Sequence, residues 1–330
     1  MSSLPSAPPE RQRGVTLVEL MTALVLGLLI TAGIYQLFSA SQRTHRLEQA
    51  VASVQENGRF LLNVFQRELR HAGFPPACQG EAGAEGSLII NMSSSLKKDL
   101  FPNDRFDSVM GWQDRSSSGG YTQRISPGDY QAGNILLIHH AADPANIALS
   151  ASIVAGKRDV AVAGGENLSS GDLLAFVFQN RCEVAETTED GRFRAPQGFS
   201  FSFPQDATWI GEPVGDLYYV GWDSPRQESA LRRLDLVSGK SETLVSPVVD
   251  MQLRYLVDGQ YQSTPGASRW DDVAAVRISL LVRSSAGRVL ESPAHVQVGD
   301  IDFTAPPGDL RLYRGFTSTV ALRNRLVGER

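Results

Sequence analysis

Arg13-Gly14-Val15-Thr16-Leu17-Val18-Glu19-Leu20-Met21 opens an apolar run that continues to Phe38. Residues 15–38 include one side chain that is charged at neutral pH, Glu19. As a helix rising ~1.5 Å per residue, the run spans roughly 36 Å, enough to cross a ~30 Å hydrocarbon core. A carboxylate near the start of such a segment costs up to ~2.5–3.5 kcal/mol in lipid, less toward the interface. It therefore calls for a positive partner at the same depth. Cleavage after Gly14 would create one, a free amine at Val15 with an ordinary pKa of ~8. Between staggered neighbouring helices, the amine of one chain reaches the carboxylate of the next. Such a pair sets register more reliably than it adds net stability.

Around this stretch the chain falls into parts. Residues 1–14 are polar and proline-rich, with Arg11 and Arg13 placed to keep that end cytoplasmic under the positive-inside rule. A removed signal peptide is the alternative. However, the apolar run exceeds the usual 7–15 residues, and the helical pattern passes through Ala40, so an uncleaved anchor fits better. From Leu47 the positions Leu47, Val51, Val54, Gly58, Leu61, Phe65, Leu69 and Ala72 form one stripe of an amphipathic helix. Gly73 and the Pro75-Pro76 pair end it. Short β-type runs follow, at 87–92, 134–140, 147–154, 159–163, 173–179, 217–222, 231–237, 248–257, 273–283 and 314–322. The runs 248–257 and 273–283 alternate best and read as paired core strands, with the amphipathic helix covering one face. Residues 93–130, rich in Ser, Gly, Asp and Asn, read as a weakly structured insertion, and 300–313 as a loop.

Composition narrows the function. The 330 residues carry a net charge of −5, which gives no basic field for nucleic acid. Cys78 and Cys182 are the two cysteines. In a chain sent across a membrane they read as one disulfide, the alternative being two unrelated buried thiols. Neither has a CxxC partner, and no zinc or other metal site is expected. His139-His140 lacks an HExxH pattern and reads as structural. No nucleophile elbow, P-loop or dinucleotide fingerprint is present, so neither an enzyme nor a cofactor is expected.

The run Gly14-Val15-Thr16-Leu17-Val18-Glu19-Leu20-Met21 resembles the class III signal of type IV prepilins. Further along, Gln55-Glu56-Asn57-Gly58-Arg59-Phe60, 67–74, 276–283 and 319–325 are similar to the PilW family of minor pilins. The likeness covers both ends well and the middle, about 80–245, loosely. It implies cleavage between Gly14 and Val15 by the prepilin peptidase, N-methylation of Val15, and an inter-subunit role for Glu19. Two features depart from the usual pattern: Val15 stands where Phe is common, and the apolar segment has no proline.

The implied fold is α+β and type IV pilin-like, a long N-terminal helix packed on a mainly antiparallel β-sheet head. Its parts are a leader (1–14), a transmembrane half-helix (15–38), an amphipathic half-helix (39–73) and a head (74–330) with an insertion near 93–130. The implied function is pilus assembly, in a priming complex at the tip that also carries a large adhesin. The partners would be other minor pilins, the major pilin, the prepilin peptidase and methyltransferase, and the inner-membrane assembly platform. The implied location is the bacterial inner membrane with a periplasmic head, then the pilus tip, in a fibre serving twitching or adhesion. A J-type minor pseudopilin of a type II secretion system is the alternative. A membrane-tethered hydrolase or sugar-binding module is a third class, which would need a cleft with converging carboxylates.

Overall fold

The computed structural model describes residues 15–82, 88–92, 100–101, 104–116, 120–144, 146–166, 168–189, 192–266 and 269–324. One helix, Leu17–His71, runs for 55 residues, about 80 Å at ~1.5 Å per residue. Thr16 caps its start, and Gly73, at φ 73°, turns the chain out of its end. The leader, Gly14 included, lies outside the described residues, as do 93–99, 102–103 and 117–119 of the expected insertion.

Two sheets form most of the head. In the large one, Trp209–Asp223 is the spine. It pairs antiparallel with Tyr130–Ala142 and Leu173–Phe178 on one side and with Glu228–Asp235 on the other. The smaller sheet has four strands, in the order Gln260–Gln262, Val248–Val257, Ala275–Arg283 and Tyr313–Ala321. The expected pairing of 248–257 with 273–283 is present, with Leu253 opposite Ile278. A hairpin, His295–Val298 with Ile301–Thr304, supplies Ile301 and Phe303 to a small cluster around the buried Leu281.

The side-chain alternation of strands assigns each face of the large sheet to a different core. Leu136, Ile138 and Tyr218 face the helix, where Leu61, Phe65 and Leu69 meet residues of both sheets. The rings of Phe65 and Tyr218 lie 5.4 Å apart. Ile135, Leu137, Leu217 and Tyr219 face a second core that contains Cys78 and Cys182. These cysteines form a disulfide with Sγ–Sγ 1.99 Å, 104 residues apart in sequence. Closing a loop of that length is worth about 5 kcal/mol on the chain-entropy account. A third core collects Phe176, Phe193, Phe199 and Phe203.

Several elements differ from the sequence expectation. Within 93–130, Val109–Trp112 is a strand paired with Ile135–Ile138. Its central Gly111 hides it from a propensity reading. A side chain there would collide with the Tyr255 hydroxyl, so the small residue serves packing, not a turn. Within 300–313, Ile301–Thr304 is a strand of the hairpin, not loop. In contrast, 147–154 yields only the short strand Ala148–Leu149 and an isolated bridge from Ile153 to Phe203.

The joint between the sheets is polar and specific. Asn134 Oδ1 accepts from the Leu253 amide at 2.6 Å, and its Nδ2 donates to the Gln113 carbonyl at 3.0 Å. Gly133, at φ 75°, lets the two backbones approach there, since a Cβ would strike the Met251 backbone. His139 is buried, stacked on Phe106 with ring centroids 4.9 Å apart, and donates from Nδ1 to the Asp107 carbonyl at 3.0 Å. Burial pushes its pKa down to about 4.

Two predictions follow from this packing. A methyl added at Gly58 overlaps the Phe316 ring, so Gly58→Ala should destabilise the head by ~1–3 kcal/mol. Denaturant titration of the detergent-solubilised chain measures it, and Phe316→Ala added to that variant should recover part of the loss. His139 contributes stability fully above its unfolded pKa of ~6.5, and that contribution is lost as pH falls toward 4. Asp216, which burial pushes up to about 7, acts with the opposite sign: its contribution is present at low pH and lost as pH rises through 7. Comparing the native chain with His139→Gln cancels the Asp216 effect. The native chain's advantage should shrink by up to ~1.4 kcal/mol per pH unit between about pH 6.5 and 4. An advantage of constant size across that interval refutes the assignment.

Candidate assembly interface

Thr16 sits in extended backbone (φ −78°, ψ 152°), the geometry of a helix N-cap. Its Oγ1 accepts from the Glu19 amide at 3.3 Å, and Glu19 Oε2 accepts from the Thr16 amide and hydroxyl, both at 3.4 Å. This is a capping box, and it gives the carboxylate a partner within its own helix. The Thr-x-x-Glu spacing signals it in the sequence, beside the electrostatic demand that a charge in lipid makes. At these distances the bonds are long for N–H···O contacts, and Glu19 stays exposed. Val15, on the other side of the cap, is 73% exposed.

Beyond the cap, the helix projects from the head without cover. Every large apolar side chain in 15–38 is more than half exposed, from Val25 at 56% to Leu37 at 74%. The most apolar 18-residue window has a mean hydropathy of 2.2, and none of it is buried. Burying one such Leu or Ile side chain is worth ~1.5–3 kcal/mol, so this surface demands lipid or other helices. The threonine hydroxyls at 22 and 31 bond to their own helix. Thr22 donates to the Glu19 carbonyl at 3.0 Å and Thr31 to the Gly27 carbonyl at 2.7 Å. Gly27 and Gly33 have open space around them.

At the other end, the helix is fastened to the last described residues of the chain. Asn324 Nδ2 donates to the Arg70 carbonyl at 3.0 Å, filling one of the acceptors that a helix leaves free at its end. The Gly73 amide donates to the His139 carbonyl at 2.7 Å, and Gln79 donates to the carbonyls of Gly73 and Asn324. The sequence contains no local sign that Asn324 is a cap, because its partner lies 254 residues away.

Residues 10–35 match the prokaryotic N-terminal methylation motif. Residues 217–324 match the family described as Type IV Pilus-assembly protein W, over 108 of the 330 residues. Over these two stretches the chain is similar to type IV pilus assembly proteins of the PilW family and to N-methylated prepilins. The PilW match begins in the large-sheet spine, takes in the four-stranded sheet and ends on Asn324. A type IV-like pilin from Thermus thermophilus is similar at 17% identity, covering 47% of this chain and 84% of that one. Its TM-score of 0.23 carries no weight here. No curated protein matches.

The head also contains a cleft of about 300 Å³, lined by Asp172, Glu212, Asp216, Arg233 and Asp235 among others. Asp216 is buried, and Arg233 stands 3.6 Å from it while also binding Glu242 at 2.5 Å. Carboxylates therefore converge at this site, and within 93–130 Asp107 also joins Glu81 and Asp271 around Arg105. No histidine, cysteine or serine among the described residues lines the cleft. Among the described residues, no group of three His, Cys, Asp or Glu side chains is placed to hold a metal ion. His140 meets His71 at 6.3 Å between ring centroids, and burial lowers its pKa.

Proposed function

We propose that the chain is a subunit of the priming complex at the tip of a type IV pilus, cleaved between Gly14 and Val15 and methylated on Val15. In this reading residues 15–38 anchor it in the inner membrane and the head faces the periplasm until the fibre extends. Its partners are other minor pilins and the major pilin, with the assembly platform and the prepilin peptidase acting on the way. A large adhesin rides on the finished tip. The PilW match does not favour the J-type pseudopilin alternative.

The observation that carries the reading is Glu19: a carboxylate on an uncovered apolar helix, held within its own chain only by bonds of 3.4 Å. Removing the leader takes away Glu10, Arg11 and Arg13, which sum to +1, and leaves a positive amine at Val15. The amine of one subunit then neutralises the carboxylate of the next while the apolar faces close around both. This pairing fixes stagger along the fibre, because an unmatched charge in that setting is penalised.

A pair of substitutions separates the ion pair from the cap. Gln serves in a capping box as Glu does, whereas Ala does not. If the charge acts between subunits, Glu19→Gln and Glu19→Ala should both insert in the membrane yet enter sheared pili at least tenfold less than the native chain. Native incorporation of Glu19→Gln would leave Glu19 as a cap alone. Replacing Gly14 with a bulky residue should leave full-length precursor in the membrane, and a mature-sized band on an immunoblot would count against cleavage at that bond.

A further inference from the structure

The last strand of the smaller sheet, Tyr313–Ala321, pairs with Ala275–Arg283 through all nine residues without a break in register. The Leu322 amide donates to the Ala274 carbonyl just past one end of the ladder, and the Ser284 amide to the Leu312 carbonyl just past the other. In an antiparallel pair the bonding positions alternate, so even-numbered residues turn their backbone groups toward the neighbouring strand. The odd-numbered residues Gly315, Thr317, Thr319 and Ala321 turn theirs away from it. Among the described residues no strand pairs with that side. Thr317, Thr319 and Ala321, in the second half of the strand, are exposed.

The groove beside this edge is flanked by two arginines, while Asp300 lies near Arg277 on the outer face. A groove of about 130 Å³ runs between helix and strand, lined by Gln66, Arg70, Thr319, Val320, Ala321 and Arg323. Arg70 and Arg323 are exposed and form no ion pair among the described residues. Arg277 donates from Nε to the Thr319 hydroxyl at 3.4 Å and lies over the Tyr261 ring, 3.8 Å from its centre. At the far end, the Arg314 guanidinium lies 5.8 Å from the centre of the Phe316 ring. Long open edges are hazardous and are usually blocked by Pro, a bulge or a covering element. Among the described residues the second half of this one has no proline, bulge or paired strand, and Arg70 and Arg323 border it.

We infer that the Tyr313–Ala321 edge receives an extended, acidic segment of a neighbouring pilin, which adds as a fifth strand. Main-chain bonds from the odd-numbered residues supply the affinity. Carboxylates on the incoming strand meet Arg70 and Arg323 and set its register. The inference rests on the assembly reading only for the source of the segment.

The test uses the full chain in the cells that make it, with benzoylphenylalanine at Ala321 as a photo-cross-linker and the products mapped by mass spectrometry. Two variants report on the two recognition elements. Thr319→Pro removes an outward amide without touching the ladder to Ala275–Arg283. The double variant Arg70→Glu/Arg323→Glu reverses the charge. The expected product is a cross-link to an acidic, strand-forming segment of another pilin, lowered at least tenfold by each variant. Each variant should also keep the native melting temperature within about 4 °C, the shift that ~1 kcal/mol produces in a domain of this size. A cross-link to the chain's own residues 325–330, to lipid, or to a partner segment undiminished by both variants overturns the inference. A chain present in sheared pili without the cross-link overturns the edge alone. One absent from pili that still captures an acidic strand overturns the assembly reading and leaves the edge standing.

Discussion

The head coheres because two sheets present one apolar wall to a single helical stripe. Val54, Leu61, Phe65 and Leu69 reach strands of both sheets, so neither sheet can bury its inner face unless the helix is seated. The seat is set by Gly58, where the missing side chain admits the Phe316 ring. Helix position, sheet-to-sheet angle and the course of the final strand are thus one constraint. Asn134 adds a polar key to the joint, and its amide would go unsatisfied if the sheets slid.

The two halves of the helix obey different solvents. The inner half is buried on one side at three- and four-residue steps, and its outer face is largely polar, with Leu47 and Phe60 the large apolar side chains exposed on it. The outer half is apolar all round and uncovered, which suits lipid or a bundle of like helices. A single stretch of secondary structure therefore joins a water-soluble fold to an assembly surface. The Thr16 cap and the Asn324 cap each satisfy backbone groups that the helix leaves free at its two ends.

The helix, its break at Gly73 and the central strand pair were legible in the sequence, because they rest on periodicities of 3.6 and 2 over ten residues or more. Glu19 was legible for a different reason, as a charge where the solvent does not tolerate one. Val109–Trp112 was hidden by Gly111, whose smallness answers to Tyr255, far away in sequence. Asn324 was hidden because a cap made across 254 residues has no local pattern. Ile301–Thr304 has alternating polarity but is short and bordered by Gly and Pro, so composition outweighed pattern. The Thr16–Glu19 box was readable from spacing alone; a local backbone role competed there with a long-range electrostatic one.

The contacts between the helix and the last strand advance together along both elements, Gly58 with Phe316, Gln66 with Ser318 and Arg70 with Asn324. Helix and strand therefore run in the same sense, side by side. A pull on the anchor along the helix axis loads these contacts in parallel, as shear, instead of opening them one after another. Bonds loaded together share the force, and a zipper does not. The joint between anchor and head is thus loaded in shear, and just past the helix end the Cys78–Cys182 bridge ties the chain covalently to the large sheet.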